Sequence, residues 1–190
     1  MTDITENARK KRSRHPWHSI HYGEDAPDTV KSIVEIPTGS QAKYELDKDS
    51  GLLKLDRVLF SSIHYPANYG FIPQTFCEDN DPLDILILSS VDVMPLCLVE
   101  ANVIGGMQMI DDNEQDDKII AVAKDDVSVN FIKDMEMLPN YVMNQMRRFF
   151  EDYKKLEEKE VTVERFVEKD EAKKIITDSI DLYQKTFVEE

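Results

Sequence analysis

The chain has 190 residues, 41% hydrophobic and 32% charged, and its 23 Lys and Arg against 38 Asp and Glu give a formal net charge of −15. That length suits a single domain spanning 1–190 with one ordinary core, and no apolar run approaches the roughly 18 residues of a membrane span. The charge repels nucleic-acid phosphates and anionic membranes and so argues against both as partners; an anionic ligand would have to arrive with compensating positive charge, for which divalent metal is the obvious carrier.

Residues 1–14 carry Arg9, Lys10, Lys11, Arg12 and Arg14, a net +3 against −18 for the remainder, and read as a flexible basic tail. Ordered sequence is expected from His15-Pro16-Trp17-His18. Residues 30–36 (VKSIVEI) read as a strand closed by Pro37 and Gly39. Residues 42–46 and 52–60 alternate apolar and polar side chains around Asp47-Lys48-Asp49-Ser50-Gly51, a turn composition, which predicts a hairpin. Alternation puts Lys43 and Glu45 on one face, opposite Tyr44 and Leu46. Residues 64–74 (HYPANYGFIPQ), with two Pro and one Gly, read as an ordered aromatic loop. Further strands are expected at 83–90, at 97–110 with a bend at Gly105-Gly106, and at 118–123. Only then does helical periodicity appear: Val142, Met143, Met146, Phe149, Phe150 and Tyr153 form one apolar stripe over 140–157. A short strand at 161–166 and a helix over about 170–187 finish the chain. Strands followed by helices predict a mainly β, α+β fold: a small antiparallel barrel with helices packed outside.

Two cysteines, Cys77 and Cys97, are too few for a disulfide framework or a cysteine-based zinc site and read as buried thiols. With no secretory pattern at the N-terminus, the cytoplasm is the expected location. Neither G-x-x-x-x-G-K-[ST] nor G-x-G-x-x-G occurs, so side chains or metals would have to hold any phosphate.

The densest chemical signal is Glu78-Asp79-Asn80-Asp81-Pro82-Leu83-Asp84, just before an apolar strand. Alone it reads equally as an acidic turn with Asp79 and Asp81 capping backbone N–H groups. An EF-hand is excluded, because its sixth position is Asp84 rather than Gly and its twelfth is Ser90 rather than Glu. A second acidic run, 111–117, precedes another strand. If the two strands are neighbours, up to five carboxylates converge, and such a group needs a cation, because like charges at close range cost several kcal/mol. Mg²⁺ or Mn²⁺ suits carboxylate oxygen ligands. Lys43, Arg57 and Lys154 supply positive charge, each singly no more than a surface residue, and Arg suits bidentate contact with phosphate oxygens. Tyr65 and Tyr69 sit in the aromatic loop. His15, His18, His21 and His64 lack metal-ligand spacing near a carboxylate pair. Together these features fit metal-assisted phosphoryl chemistry, in which metals orient an anion and lower the pKa of a bridging water.

On these residues the sequence closely resembles the soluble family I inorganic pyrophosphatases. The likeness runs from His15 to about Phe166, through VEIPTGSQAKYELDKDSGLLKLDRVLF (34–60), HYPANYGFIPQT (64–75), EDNDPLDILIL (78–88), IDDNEQDDKIIAV (110–122) and RRFFEDYKKLE (147–157). The D-[GN]-D-P-x-D core in these surroundings is highly specific. The resemblance implies an OB-like five-stranded barrel flanked by helices and hydrolysis of pyrophosphate to two phosphates with several Mg²⁺ ions. It implies that Asp79, Asp84 and Asp116 bind a first metal, with Asp84 also near a second, that Asp111 and Asp116 take a further one, and that Glu45 helps hold one carried by the substrate. Asp81 corresponds to the general base for a metal-bridging water nucleophile, with Tyr69 hydrogen-bonded nearby. Lys43, Arg57, Tyr153 and Lys154 correspond to the phosphate clamp, and Glu35, Tyr65 and Lys118 to supporting positions. Family members of this length are commonly hexamers, so self-association is expected. A hydrolase of another phosphoanhydride and an OB-like binding module are the alternatives; the second is disfavoured by the net charge, because OB nucleic-acid binders use a positive groove.

Overall fold

Alternation and helical periodicity translate directly into elements. A computed structural model of the chain describes residues 15–188, and the basic run at 1–14 lies outside them. The strands are β1 Thr29–Ile36, β2 Ala42–Leu46, β3 Leu53–Val58, β4 Asn68–Phe71, β5 Asp84–Leu88, β6 Leu98–Asp111, β7 Glu114–Gln115, β8 Lys118–Ala123 and β9 Val161–Glu168. The helices are α1 Asn140–Asp152 and α2 Lys169–Phe187, with short 3₁₀ turns at Met135–Met137 and Lys155–Glu157.

Strands pair in the order β1-β4-β5-β8-β6, and β6 returns to β1, so five strands close into a ring. This is the OB-like barrel. Four of its pairings are antiparallel, but β5 and β8 run parallel, with Asp84 opposite Lys118 and Leu88 opposite Val122. The fully antiparallel ring expected from the sequence is topologically impossible with five strands, because directions cannot alternate around an odd circle. One parallel pair is the minimum, and it falls at β5–β8. The β2–β3 hairpin is a separate two-stranded sheet, while β7 and β9 extend β6.

The pleat sorts apolar residues into two clusters. Val30 and Val34 of β1, Ile85 and Ile87 of β5, Ala101 and Val103 of β6, and Ile119 and Ala121 of β8 form one, joined by Ala172 and Ile176 of α2. The opposite parity, including Leu86, Ile104, Ile120 and Val122, packs with Met146, Phe149 and Phe150 of α1. Those three residues and Tyr153 are buried, while Val142 and Met143 are partly buried, so the predicted stripe is the packed face of α1. Each large side chain buried this way stabilises by roughly 1.5–3 kcal/mol.

Two differences from the sequence reading have physical causes. The aromatic loop contains β4, whose four residues are all buried. A strand covered on both faces shows no polar alternation, and Gly70 within it imitates a loop. That glycine is required: a Cβ there would lie 1.9 Å from the Ile33 carbonyl oxygen. Cys97 is exposed rather than buried, because the chain leaves Met94 and Leu96 in a surface turn before β6. The bend in β6 is present as a register shift against β8 between Val103 and Gly105.

Candidate active site

A cleft of about 330 Å³ is lined by the β5–β8 end of the ring, the β2–β3 hairpin and the end of α1. Its position follows from the parallel pair. Asp84 begins β5 and Lys118 begins β8, so the segments leading into both strands emerge side by side at one end. The two acidic runs seen in the sequence are those segments, and Asp79, Asp81, Asp84, Asp111 and Asp116 all line the cleft.

Lys118 is 2% exposed and donates to Asp84 Oδ2 at 2.5 Å and to Asp116. The Tyr69 hydroxyl, from β4, donates to the same Asp84 oxygen. Asp79 Oδ1 accepts from the Asp81 backbone N–H at 3.1 Å, and Asn80 takes the left-handed φ of +67° that this tight turn needs. Asp81 turns outward, half-exposed, and pairs with Lys48 from the hairpin turn; Lys48 also donates to the Asn80 carbonyl at 3.0 Å. On the helix side, Asp111 Oδ2 accepts from the Tyr153 hydroxyl at 2.9 Å and from Lys154.

On the hairpin side, Lys43 pairs with Glu45, two residues away on the same face as alternation predicts, and reaches Asp56 at 3.4 Å. The register slips here: Lys43 faces Arg57 but Tyr44 faces Leu55, leaving Asp56 as the extra residue of a bulge. Tyr44 and Leu46, expected on the opposite face, line the cleft too. Arg57 is set back from the cleft wall, bonded to Asp56 at 2.5 Å and Glu157 at 2.8 Å. Glu35 is 7% exposed, and its Oε1 accepts from the Leu46 backbone N–H at 2.7 Å. Tyr65 is buried with its ring 4.6 Å from Phe149 and 5.5 Å from Tyr69.

Charge is concentrated here beyond what the lysines offset. Burial, with the Asp84 charge added, pushes the Glu35 carboxyl up to about 8. Burial pushes Asp79 up to about 6, with the charges of Asp116 and Asp84 working the same way. Burial and Asp84 raise Asp116 even though Lys118 opposes them. Burial works against the Lys118 ammonium, but Asp116 and Asp84 outweigh it and hold its pKa above the ordinary value. The Tyr65, Tyr69 and Tyr153 phenols are all raised, first by burial, so they remain hydrogen-bond donors.

An environment that raises proton affinity at several carboxylates favours any cation. Asp111 Oδ1 is buried with no hydrogen-bond partner, an acceptor that a cation would satisfy. The donors are carboxylate oxygens, which suit a hard divalent ion. Among the described residues no three acidic, His or Cys side chains are gathered tightly around one point; Lys118 bridges Asp84 and Asp116, and Lys154 pairs with Asp111. The donor chemistry fits the expected metals.

Sequence reasoning missed Lys48, Asp56, Asp112, Glu114 and Glu157. Lys48 and Asp56 lie within the hairpin that held Lys43 and Arg57, and Asp112 and Glu114 within the second acidic run. Glu157 follows Lys154 at helical spacing, the one signal that could have flagged it.

Residues 32–184 match the family model described as inorganic pyrophosphatase. The chain is 52% identical over 174 residues to soluble inorganic pyrophosphatase 2 of Chlamydomonas reinhardtii, covering 92% of this chain and 91% of that protein. It is 49% identical over 180 residues to soluble inorganic pyrophosphatase 1 of Arabidopsis thaliana, covering 95% and 85%. The crystal structure of inorganic pyrophosphatase from Thermus thermophilus superposes with a TM-score of 0.87 at 37% identity, covering 90% of this chain and 99% of that one. The fold, the acidic cleft and these matches agree: the chain belongs to the inorganic pyrophosphatase family.

Proposed function

We propose that this cleft hydrolyses inorganic pyrophosphate to two orthophosphates. The observation that carries the reading is the facing of carboxylates on the ring side by cations and phenols on the hairpin and helix side. Asp79, Asp84, Asp111, Asp116 and Glu45 are the residues that would hold several Mg²⁺ ions, with Mn²⁺ as a substitute. Once bound, those ions would neutralise the substrate's charge and make water a better nucleophile.

The chain's own residues account for the remainder. Asp81, outward and paired only at the cleft mouth, accepts the proton of the attacking water. Lys43, Arg57, Tyr153 and Lys154 orient the two phosphate groups and oppose charge developing on the leaving one. Tyr69 holds Asp84 in place through its hydroxyl. Lys118 fixes Asp84 and Asp116, while Glu35 accepts from the backbone of Leu46 beside the hairpin residues. Tyr65 packs behind Tyr69. A substrate entering as a magnesium complex is compatible with a chain at −15.

The same reading includes self-association to a hexamer. Met94, Leu96 and Leu98, all exposed, offer apolar surface for it, and sedimentation velocity measures the state. Among the described residues no helix is long and apolar enough to cross a membrane, in line with a cytoplasmic location.

The test of activity is phosphate release from pyrophosphate with Mg²⁺ and with EDTA, with ATP as parallel substrate. Rapid Mg²⁺-dependent release from pyrophosphate and little from ATP is expected. Equal rates on ATP would make the enzyme a general phosphoanhydride hydrolase. No release from folded protein would overturn the reading.

A further inference from the structure

We propose that Glu157 is a positioning residue for Arg57, holding the guanidinium so that one edge stays free for a phosphate oxygen. The proposal rests on Arg57 belonging to the substrate clamp.

Arg57 has five N–H donors in a rigid fork. Its Nε donates to Glu157 Oε1 at 2.8 Å, across 100 residues of sequence. Its Nη1 donates to Asp56 Oδ2 at 2.5 Å, from the bulged position beside it. Its Nη2 is buried and has no partner. A buried donor without an acceptor is costly, so this nitrogen marks a place for an acceptor that the chain itself does not supply. The two carboxylates turn a mobile side chain into a fixed one, with 20% of Arg57 and 14% of Glu157 side-chain surface exposed.

The position of Glu157 gives the bond a further consequence. Its backbone N–H donates to the Lys154 carbonyl at 2.9 Å, inside the 3₁₀ turn that follows α1. The turn ends at Glu158, left-handed at φ +59°. Glu157 is thus joined to Lys154 through backbone and to Arg57 through its side chain. The hairpin, which makes its own small sheet, is tied by this bond to the helix end that carries Tyr153 and Lys154. The spacing between Arg57 and Lys154 is fixed by Glu157.

The experiment is a double-mutant cycle on the full-length enzyme with Mg²⁺ and pyrophosphate, reading KM, kcat and the unfolding midpoint. E157A is expected to raise KM about tenfold with kcat changed less than about threefold. E157Q keeps an acceptor for the Nε–H and is expected to recover roughly half of that loss on a logarithmic scale. R57A raises KM at least as far, and adding E157A to R57A changes nothing more, because Glu157 acts through Arg57. Multiplying effects in the double variant would overturn the proposal, as would an unfolding midpoint that drops in parallel with activity in E157Q. Unchanged kinetics in R57A, with pyrophosphate still hydrolysed, would remove Arg57 from the clamp and the proposal with it. A wild-type enzyme inactive on pyrophosphate would instead defeat the proposed function, a distinguishable result.

Discussion

The two walls of the cleft are built by different means. The carboxylate wall stands on the closed ring: Asp84 and Lys118 begin strands whose next residues, Ile85 and Ile119, are fully buried. The cation wall stands on a two-stranded hairpin whose Leu55 and Val58 are more than half exposed, and on the last turn after α1. Core packing therefore places the carboxylates, whereas polar bonds place much of the proposed clamp: Lys43 to Glu45 and Asp56, Arg57 to Asp56 and Glu157, Lys154 to Asp111. Substitutions on the first wall should register in stability and in the chemical step; those on the second should register in substrate binding.

The largest expected effect breaks the ring wall. Lys118→Met leaves Asp84 and Asp116 as unpaired charges in a buried place, and the metal-free protein should lose roughly 3–5 kcal/mol of stability. Mg²⁺ should restore much of it; denaturant unfolding with EDTA and with Mg²⁺ checks both, and equal loss in both conditions would show that metal does not occupy that space.

Glu35 gives a pH signature of the same wall. Its pKa rises from an ordinary 4.5 to about 8 on folding, so between those values the folded state keeps a proton the unfolded state has released. Stability then falls as pH rises from about 4.5 to 8 and levels above. In metal-free protein Glu35→Gln should flatten much of that fall, a difference on the order of a few kcal/mol at pH 8 relative to pH 5; an unaltered slope would mean other groups carry it. Asp79, raised to about 6, contributes with the same sign.

Asp81→Asn should lower kcat about 10²-fold or more, with a smaller change in metal affinity by calorimetry. Equal loss of both would make Asp81 chiefly a ligand. The smallest effect belongs to the cation wall: Lys154→Ala should raise KM about tenfold without moving the unfolding midpoint, and unchanged kinetics would remove it from the clamp.

These differences also explain what could be read from the sequence. The acidic runs were visible because each sits immediately before an apolar strand, and their convergence needed only that the strands be neighbours. That they meet in parallel was not visible, since pairing direction depends on ring closure rather than on residues 83–90 or 118–123 themselves. The strand β4 was hidden by burial on both faces. The bond from Glu157 to Arg57 was hidden because the two lie 100 residues apart; only the spacing of Glu157 from Lys154 was local. The alternation that placed Lys43 and Glu45 together held, but Tyr44 and Leu46 line the cleft as well, and the bulge at Asp56 in the facing strand had no sequence signal.

The parallel pair also bears on how the chain folds. The bond from Lys118 to Asp84 spans 34 residues, and β5 and β8 are joined through β6, which must itself reach β1. Contacts between distant segments form against a large chain entropy and set the pace of folding. Until β5 and β8 pair, the two acidic segments belong to separate, mutually repelling stretches of chain. Pairing these strands brings their charges together, so forming the parallel pair works against the repulsion of the segments that lead into it, and burial of Ile85 and Ile119 beside them is what holds the charges there.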